Sequence, residues 1–239
     1  MGSPLPPAPG LGTNCGTPLS LVSQFYASCG APPYGAGGPF APIGKEFTES
    51  GGFPLLRGRK EGRSIPIGPW GYRQGAWVAA VAALDTKGPD FVVLLACSGV
   101  SPAEQMRYGT AEHLRRAHFG ARSIRELLEL RTAFEEALRT PSARRPALQF
   151  IKEYGTRPWF PLSWVPSAPP RAARWRDMDF DPGPVLSTTT CPVLLYNGER
   201  DEWTPITRSI RVWRAAVSSS HNPAVRVVRL PGTGRGPFM

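Results

Sequence analysis

The chain has 239 residues, 41% of them apolar, so it is long and apolar enough to bury a hydrophobic core. No apolar stretch approaches the about 20 residues that span a bilayer, and the N-terminus lacks the basic start and apolar segment of a signal peptide. We therefore expect a cytoplasmic protein with no membrane partner.

The net charge of +10 arises almost entirely from arginine. A basic balance is typical of proteins that bind nucleic acid. The arginines are scattered, however, and many fall on the polar faces of predicted helices. Arg, Ala, Gly and Pro also share GC-rich codons, so nucleic acid is the least favoured partner that we consider. The sequence does not determine the oligomeric state.

Residues 1–55 hold a high proportion of proline and glycine and show almost no periodicity, so we expect them to be disordered or poorly structured. From residue 64 onward, strand and helix patterns alternate. We predict an apolar segment at 64–71, helices at 74–84, 102–117, 123–139 and 205–217, strands at 91–97, 192–197 and 225–230, and irregular chain at 141–183.

This alternation predicts an α/β fold with a mostly parallel sheet flanked by helices, because continuous apolar strands are typical of sheets buried on both faces. The helices predicted between the strands at 91–97 and 192–197 indicate a cap insertion. The expected organisation is a poorly structured region at 1–55, a core at 56–101 and 176–239, and a cap at 102–175.

Residues 71–75 read Gly-Tyr-Arg-Gln-Gly, between an apolar run and a predicted helix. A strand, a tight turn and a helix in this order are where α/β-hydrolases carry Gly-x-Ser-x-Gly, with serine as the nucleophile. The central position here is Arg73. The motif therefore indicates an α/β-hydrolase-like turn, but Arg73 cannot act as the nucleophile that such a turn usually carries.

The surrounding residues resemble a known family. The segment 67–79, Ile-Gly-Pro-Trp-Gly-Tyr-Arg-Gln-Gly-Ala-Trp-Val-Ala, is similar to the nucleophile turn of bacterial α/β-hydrolases related to prolyl-oligopeptidase-like and dienelactone-hydrolase-like enzymes. The resemblance continues at 98–105, 175–182, 192–201 and 230–235. It implies a partial α/β-hydrolase fold of an esterase or peptidase-like serine hydrolase.

The resemblance also implies the site. Asp201 matches the triad acid, Arg73 the nucleophile and Arg235 the general base, and the backbone N–H of Gln74 matches one oxyanion donor. Arginine stays protonated at accessible pH and acts neither as a nucleophile nor as a base. We therefore predict a pseudoenzyme without acyl transfer. The alternative is a non-catalytic protein that binds a small anion through Arg73 and Arg235.

Three aromatic residues of the predicted cap are candidates for an apolar substrate pocket, with core packing as the alternative: Trp159, Phe160 and Trp164. Ser98, His113, His118 and His221 are weak substitutes for the missing catalytic residues, because none lies in the expected position. His113 and His118 are expected on helix surfaces and His221 at the opposite end of the sheet.

No metal or cofactor is expected, because the four cysteines lack metal-binding spacing. The acidic run from Asp177 to Asp181 lacks the residues of a calcium loop and is interpreted as the link from cap to core. Pro66 and Pro69 fall in the expected central strand, where proline removes ladder hydrogen bonds. The motif also comes early in the chain and the last strand is followed by few residues. We therefore interpret the sequence as a degenerate, truncated copy.

Overall fold

The structure is a computed structural model, and it describes residues 52–84, 89–167, 177–220 and 224–234. The prediction for residues 1–51 lies outside the described residues, as do Trp175, His221 and Arg235. The predicted boundary at residue 55 falls inside the first described helix, Gly52–Gly58.

Strands and helices alternate along the described chain. The helices are α1 (Gly52–Gly58), α2 (Gln74–Ala82), α3 (Pro102–Arg116), α4 (Ala121–Arg139), α5 (Arg144–Tyr154), α6 (Pro182–Thr188) and α7 (Ile206–Ser220), and the strands are β1 (Trp70–Tyr72), β2 (Val92–Leu95), β3 (Val193–Gly198) and β4 (Val225–Leu230). Short 3-10 turns lie at Lys60–Gly62, Pro141–Ala143 and Phe160–Ser163.

The four strands form one parallel sheet in chain order, β1-β2-β3-β4. Tyr72 pairs with Leu95, which pairs with Tyr196, which pairs with Val228, so one row of residues crosses the whole described sheet. Because all strands are parallel, the chain leaves each of them at the same edge. The loops after β1, β3 and β4 therefore share the carboxyl edge, where parallel sheets bind their ligands.

The prolines do not interrupt β1, contrary to the expectation for a strand at 64–71. Pro66 and Pro69 precede the three-residue strand, and β1 is the edge of the described sheet. The carbonyl oxygen of Pro69 accepts a hydrogen bond from Val93 N at 3.0 Å, which a proline can provide without an N–H.

Two hydrophobic clusters occupy different parts of the fold. The sheet cluster packs β2 and β3 against α2, α6 and α7, and includes Trp77, Leu94, Leu195 and Trp213. The insertion cluster packs α3, α4 and α5 together, and includes Leu114, Leu127, Phe134 and Trp159. The predicted α/β fold with a parallel sheet and a helical insertion is confirmed.

The prediction of irregular chain at 141–183 is wrong for α5, and α6 begins at the last two residues of that range. Pro146 lies in the first turn of α5, where the N–H groups have no partner inside a helix and proline is tolerated. Ala147, Ile151 and Tyr154 recur at helical spacing and are buried in or beside the insertion cluster. The proline content of this region concealed the periodicity.

The segment that joins the insertion to the sheet lies in both clusters. Met178 is buried in the insertion cluster, and Phe180 packs against the sheet cluster, with its ring 6.4 Å from that of Trp77. Asp181 then begins α6, because its Oδ1 accepts from Gly183 N at 2.9 Å. The expectation of a link from cap to core agrees with this arrangement.

No helix in the described ranges combines the length and apolar character that crossing a membrane requires.

Candidate active site

Arg73 stands in a strained turn between β1 and α2. Its backbone has φ 57° and ψ −121°, a conformation that costs free energy for any residue other than glycine. The neighbouring main chain holds it there: Arg73 N donates to Leu95 O at 2.9 Å, and Arg73 O accepts from Ala76 N at 3.0 Å. A strained turn from a strand to a helix is the conformation that exposes a serine nucleophile above the sheet.

The glycine at position 71 is required by this turn. A Cβ added to Gly71 would lie 2.1 Å from the carbonyl oxygen of Gly75, which is closer than real Cβ contacts. The absence of a Cβ at Gly71 therefore allows the chain to fold back tightly around Arg73.

The Arg73 side chain is exposed and lies over the ring of Tyr72, with Cζ 4.8 Å from the ring centre. It forms no ion pair with any residue in the described part of the chain. Gln74 follows as the first residue of α2. The role of the Gln74 N–H as an oxyanion donor stays a prediction.

Asp201 lies in the loop after β3 and is only 4% exposed. Its Oδ1 accepts from Trp203 N at 2.8 Å and from Thr204 N at 3.0 Å, so the main chain fixes the carboxylate before α7 begins. The acid position of the predicted triad is therefore a buried, oriented carboxylate at the carboxyl edge of the sheet.

The loop after β4 runs beside the Asp201 loop. Arg200 N donates to Thr233 O at 2.9 Å, and a Cβ on Gly198 would lie 2.0 Å from Gly234 O. Arg235 follows Gly234 directly in the sequence and lies outside the described residues. The structure therefore brings the Asp201 loop together with the segment that precedes Arg235.

Arg73 and Asp201 lie on the same edge but on different strands. One strand, β2, separates β1 from β3, so the two strand axes are about 10 Å apart at the usual spacing. Within the described residues, no ion pair joins Arg73 to Asp201.

The three predicted pocket aromatics are divided by the structure. Trp159 is 1% exposed and lies in the insertion cluster, beside Tyr154 at 5.8 Å, so it packs the core. Phe160 is half-buried against the same cluster. Trp164 is 40% exposed, and its ring meets that of Trp203 edge-on at a centroid distance of 5.3 Å. Trp203 lies two residues after Asp201.

Trp203 is the functional candidate that sequence reasoning missed. Its ring also meets that of His113 on α3 at 4.6 Å, and a Cβ on Gly109 would lie 2.2 Å from its Cε3. Burial, reinforced by Glu112 and Asp201, raises the pKa of Tyr108 on the same helix. The tryptophan two residues after the acid, in Asp-Glu-Trp-Thr, was the available signal.

Of the alternative nucleophile and bases, Ser98 and His118 lie apart from the Asp201 loop in their contacts, whereas His113 is half-buried against Trp203 and not on an open helix surface as expected. Ser98 is 1% exposed, its Oγ accepts from Val100 N at 3.3 Å, and its carbonyl accepts from Trp77 Nε1 at 2.9 Å. His118 is exposed at the end of α3 with φ 60°. His221 lies outside the described residues.

No group of three or more histidine, cysteine, aspartate or glutamate side chains that could hold a metal ion occurs in the ranges that the structure describes.

No family model matches the chain, and no curated protein matches it in sequence. Solved structures that resemble it include an esterase from Pyrococcus furiosus, with 16% identity over 77% of this chain and 51% of that chain and a TM-score of 0.42. Others are a proline iminopeptidase from Mycobacterium smegmatis (19% identity, 92% and 65% covered, TM-score 0.38) and a peroxisomal α/β-hydrolase from Saccharomyces cerevisiae (10%, 82% and 54%, TM-score 0.43).

The chain spans about half to two thirds of the length of these structures. The match covers 51% of the esterase, 54% of the peroxisomal protein and 65% of the iminopeptidase. At these identities and TM-scores, no residue role is transferred from them. The assignment of a partial α/β-hydrolase fold follows from the chain-order parallel sheet, the strained turn after β1 and the buried acid after β3.

Proposed function

We propose that this chain is a protein of the serine-hydrolase type, of the esterase or peptidase kind, whose site no longer performs acyl transfer. One observation carries the proposal: Arg73 occupies, with φ 57° and ψ −121°, the strained turn before α2 that presents a nucleophile in such proteins. A guanidinium does not attack a carbonyl carbon, and it does not release its proton at accessible pH.

The acid side of the site supports the same proposal. Asp201 is buried, oriented by two N–H groups and placed beside the loop that leads to Arg235. A triad needs a base that accepts a proton and that the acid orients. Arginine at the position of the base does not accept that proton at accessible pH.

The decisive experiment is the double reversion Arg73→Ser with Arg235→His, assayed on a nitrophenyl ester. We expect the reverted protein to turn over and to label with a fluorophosphonate probe, and the parent chain to do neither. The matched control adds Asp201→Asn to the double reversion, which should reduce turnover by about 10⁴-fold, as loss of the orienting acid does in a serine protease.

Two outcomes would contradict this proposal. Stoichiometric labelling of the parent chain by the fluorophosphonate would show an active nucleophile that we have not identified. A reverted protein that keeps the parental circular dichroism and Tm but neither labels nor turns over would show that the site is not that of a hydrolase.

A second candidate function is the binding of a small carboxylate, which the exposed Arg73 guanidinium favours. This cation has no ion-pair partner in the described chain, and its residue directly precedes α2, a helix whose N-terminal N–H groups favour anions. Arg235 would supply a second cation in this proposal.

Thermal shifts with acetate and benzoate test the second candidate. Ligand at about 100 times its Kd should stabilise the folded state by about 2.7 kcal/mol. Arg73→Glu should abolish the shift, and the control Arg63→Glu, at an exposed arginine away from the turn, should retain it. The absence of a shift with every acid would count against anion binding.

A further inference from the structure

The sheet has a second face whose side chains belong to neither hydrophobic cluster. Leu94 and Leu195 point to the first face, because both lie in the sheet cluster together with residues of α2 and α7. Successive residues of a strand point to opposite faces, so the neighbours of these leucines point to the second face. In the register they form two rows: Trp70, Val93, Leu194 and Arg226 in one, and Tyr72, Leu95, Tyr196 and Val228 in the other.

The second face is apolar across the sheet, with a cation only at β4. Trp70 is 39% exposed and Arg226 is exposed, at the two ends of one row, and the other six side chains are half-buried. Within the described residues, neither hydrophobic cluster includes any side chain of the two rows. Parallel sheets occur almost only with both faces covered, so the second face requires a cover of its own.

The first described helix places the start of the chain beside this sheet. Arg57 Nη2 on α1 lies 2.7 Å from Asp90 Oδ2, directly before β2, so α1 lies at the amino ends of the strands. Phe53 and Leu56 on the same helix are 1% and 7% exposed, yet neither belongs to the two clusters. Residues 1–51 therefore join the described chain at a helix that is itself buried outside both clusters.

The composition of residues 1–44 favours burial against an apolar surface. They contain no charged side chain, although the whole chain has a net charge of +10 and Lys45 follows them directly. Segments that stay unfolded in water are typically charged and poor in apolar residues. The absence of charge over this length is what a segment that packs on an apolar face requires, since a buried charge is costly.

The stretch 18–29 has the pattern of an amphipathic helix. Thr17 and Pro18 are an N-cap and a first helical residue, and Gly30 is a typical helix end. The side chains at helical spacing along one side are Leu19, Val22, Phe25, Tyr26 and Cys29. A helix over this stretch would be about 18 Å long, and the sheet from β1 to β4 is about 14 Å wide.

We propose that residues 18–29 of this chain dock as a helix on the second face of the sheet and order on docking. The apolar side of the stretch packs on the two rows, around Val93, Leu95 and Leu194. Residues 30–51 extend to about 70 Å at most, so they reach any part of this face from α1. A covalently attached segment is held near its site at millimolar effective concentration, which favours it over a second copy of the chain.

Photo-cross-linking in the full chain tests the contact. In one variant p-benzoylphenylalanine replaces Phe25, and in the matched control it replaces Gln24, the next residue on the polar side of the stretch. Irradiated protein is digested and the products are identified by mass spectrometry. We expect the variant at Phe25 to give intramolecular products with peptides that contain β2 or β3, and the control to give none.

Urea denaturation provides a second measurement that needs no cross-linker. Phe25→Asp places a charge on the docking side and should lower the urea midpoint, whereas Gln24→Asp should leave it unchanged. Equal midpoints for these two variants would overturn the proposal. So would the absence of strand products from the variant at Phe25 when it keeps the parental Tm. Products that join two copies of the chain would show instead that a second copy covers the face.

Discussion

The main-chain N–H of Arg73 donates to the carbonyl oxygen of Leu95 at 2.9 Å, and this bond ties the strained turn to the end of the neighbouring strand. The turn therefore has this shape although its central residue is not the serine that the motif usually holds. Backbone strain of this kind persists only where the surroundings determine it. The geometry of the turn is thus a property of the fold and does not depend on serine.

Replacing Arg73 by glycine is expected to stabilise the protein. Strain at φ 57° costs about 1–3 kcal/mol for a residue with a Cβ, and glycine removes it at an entropic cost of about 0.4–1 kcal/mol. We expect the free energy of unfolding to rise by about 1 kcal/mol, measured by urea denaturation with an unchanged m-value.

The control for this substitution is Arg63→Gly. Arg63 is also an exposed arginine, but its φ of −70° and ψ of −29° are ordinary for any residue. Arg63→Gly should lower the free energy of unfolding by about 0.5–1 kcal/mol, because glycine at this position only increases the entropy of the unfolded chain. Equal destabilisation by both substitutions would refute the claim of strain at Arg73.

Gly109 fixes how closely α3 approaches the acid loop. An added Cβ would lie 2.2 Å from Cε3 of Trp203, so Gly109→Ala should force the helix and the loop apart. Overpacking of this kind costs about 1–3 kcal/mol. Gly58→Ala is the control, because nothing lies within 4 Å of its added Cβ.

A double-mutant cycle separates this contact from helix propensity. Trp203→Ala should remove most of the penalty of Gly109→Ala, giving a coupling free energy of about 1–2 kcal/mol between two residues in contact. Additive effects of the two substitutions would mean that the ring of Trp203 does not limit the approach of α3.

The link between the insertion and the sheet should lose stability in acid. Asp179 accepts from Arg139 Nη2 at 2.6 Å and from Nε at 2.8 Å, and these hydrogen bonds hold the pKa of Asp179 below its ordinary value. A carboxyl with a lowered pKa stabilises the fold above its unfolded pKa, and that contribution disappears as the pH falls through the folded pKa.

We therefore expect Asp179→Asn to lower the free energy of unfolding at pH 7 by at most about 1 kcal/mol, since the side chain is largely exposed. The difference from the parent should vanish below the lowered pKa. Glu153→Gln, at an exposed carboxylate without an ion pair in the described chain, is the matched control. A difference for Asp179→Asn that persists in strong acid would exclude the ion pair as its cause.

Local sequence signals predicted the elements that depend on local chemistry. The glycines at 71 and 75 located the strained turn, and Ser101 with Glu104 located the start of α3, where Ser101 Oγ accepts from Glu104 N at 3.3 Å. Asp201 was located by the family resemblance of residues 192–201, and its burial was not predicted.

Features that depend on tertiary packing were not predictable in the same way. Pro146 concealed α5, although proline is compatible with a first turn. Trp159 and Trp164 are close in sequence, yet one is buried among the insertion helices and the other meets Trp203. Their separation depends on how the insertion seats on the loop after β3, which no local pattern encodes.

The buried ion pair on α4 provides the last prediction. Glu135 is 1% exposed and Arg131 is 0% exposed, with Arg131 Nη2 2.8 Å from Glu135 Oε1 and Arg107 Nε 3.3 Å from Glu135 Oε2. Removing one partner leaves an uncompensated buried charge, whereas removing both leaves an apolar contact. Glu135→Leu should therefore cost about 3–5 kcal/mol, and Glu135→Leu with Arg131→Met should recover most of that loss. Arg122→Ala, in an exposed pair of the same i,i+4 spacing on α4, should change stability by less than about 0.5 kcal/mol.

Burial raises the pKa of Glu135 despite the nearby arginines, so its contribution to stability is greatest below its unfolded pKa and falls as the pH rises through the folded pKa. The double variant should lose this slope, and a slope that is identical in the parent and the double variant would assign it to another group.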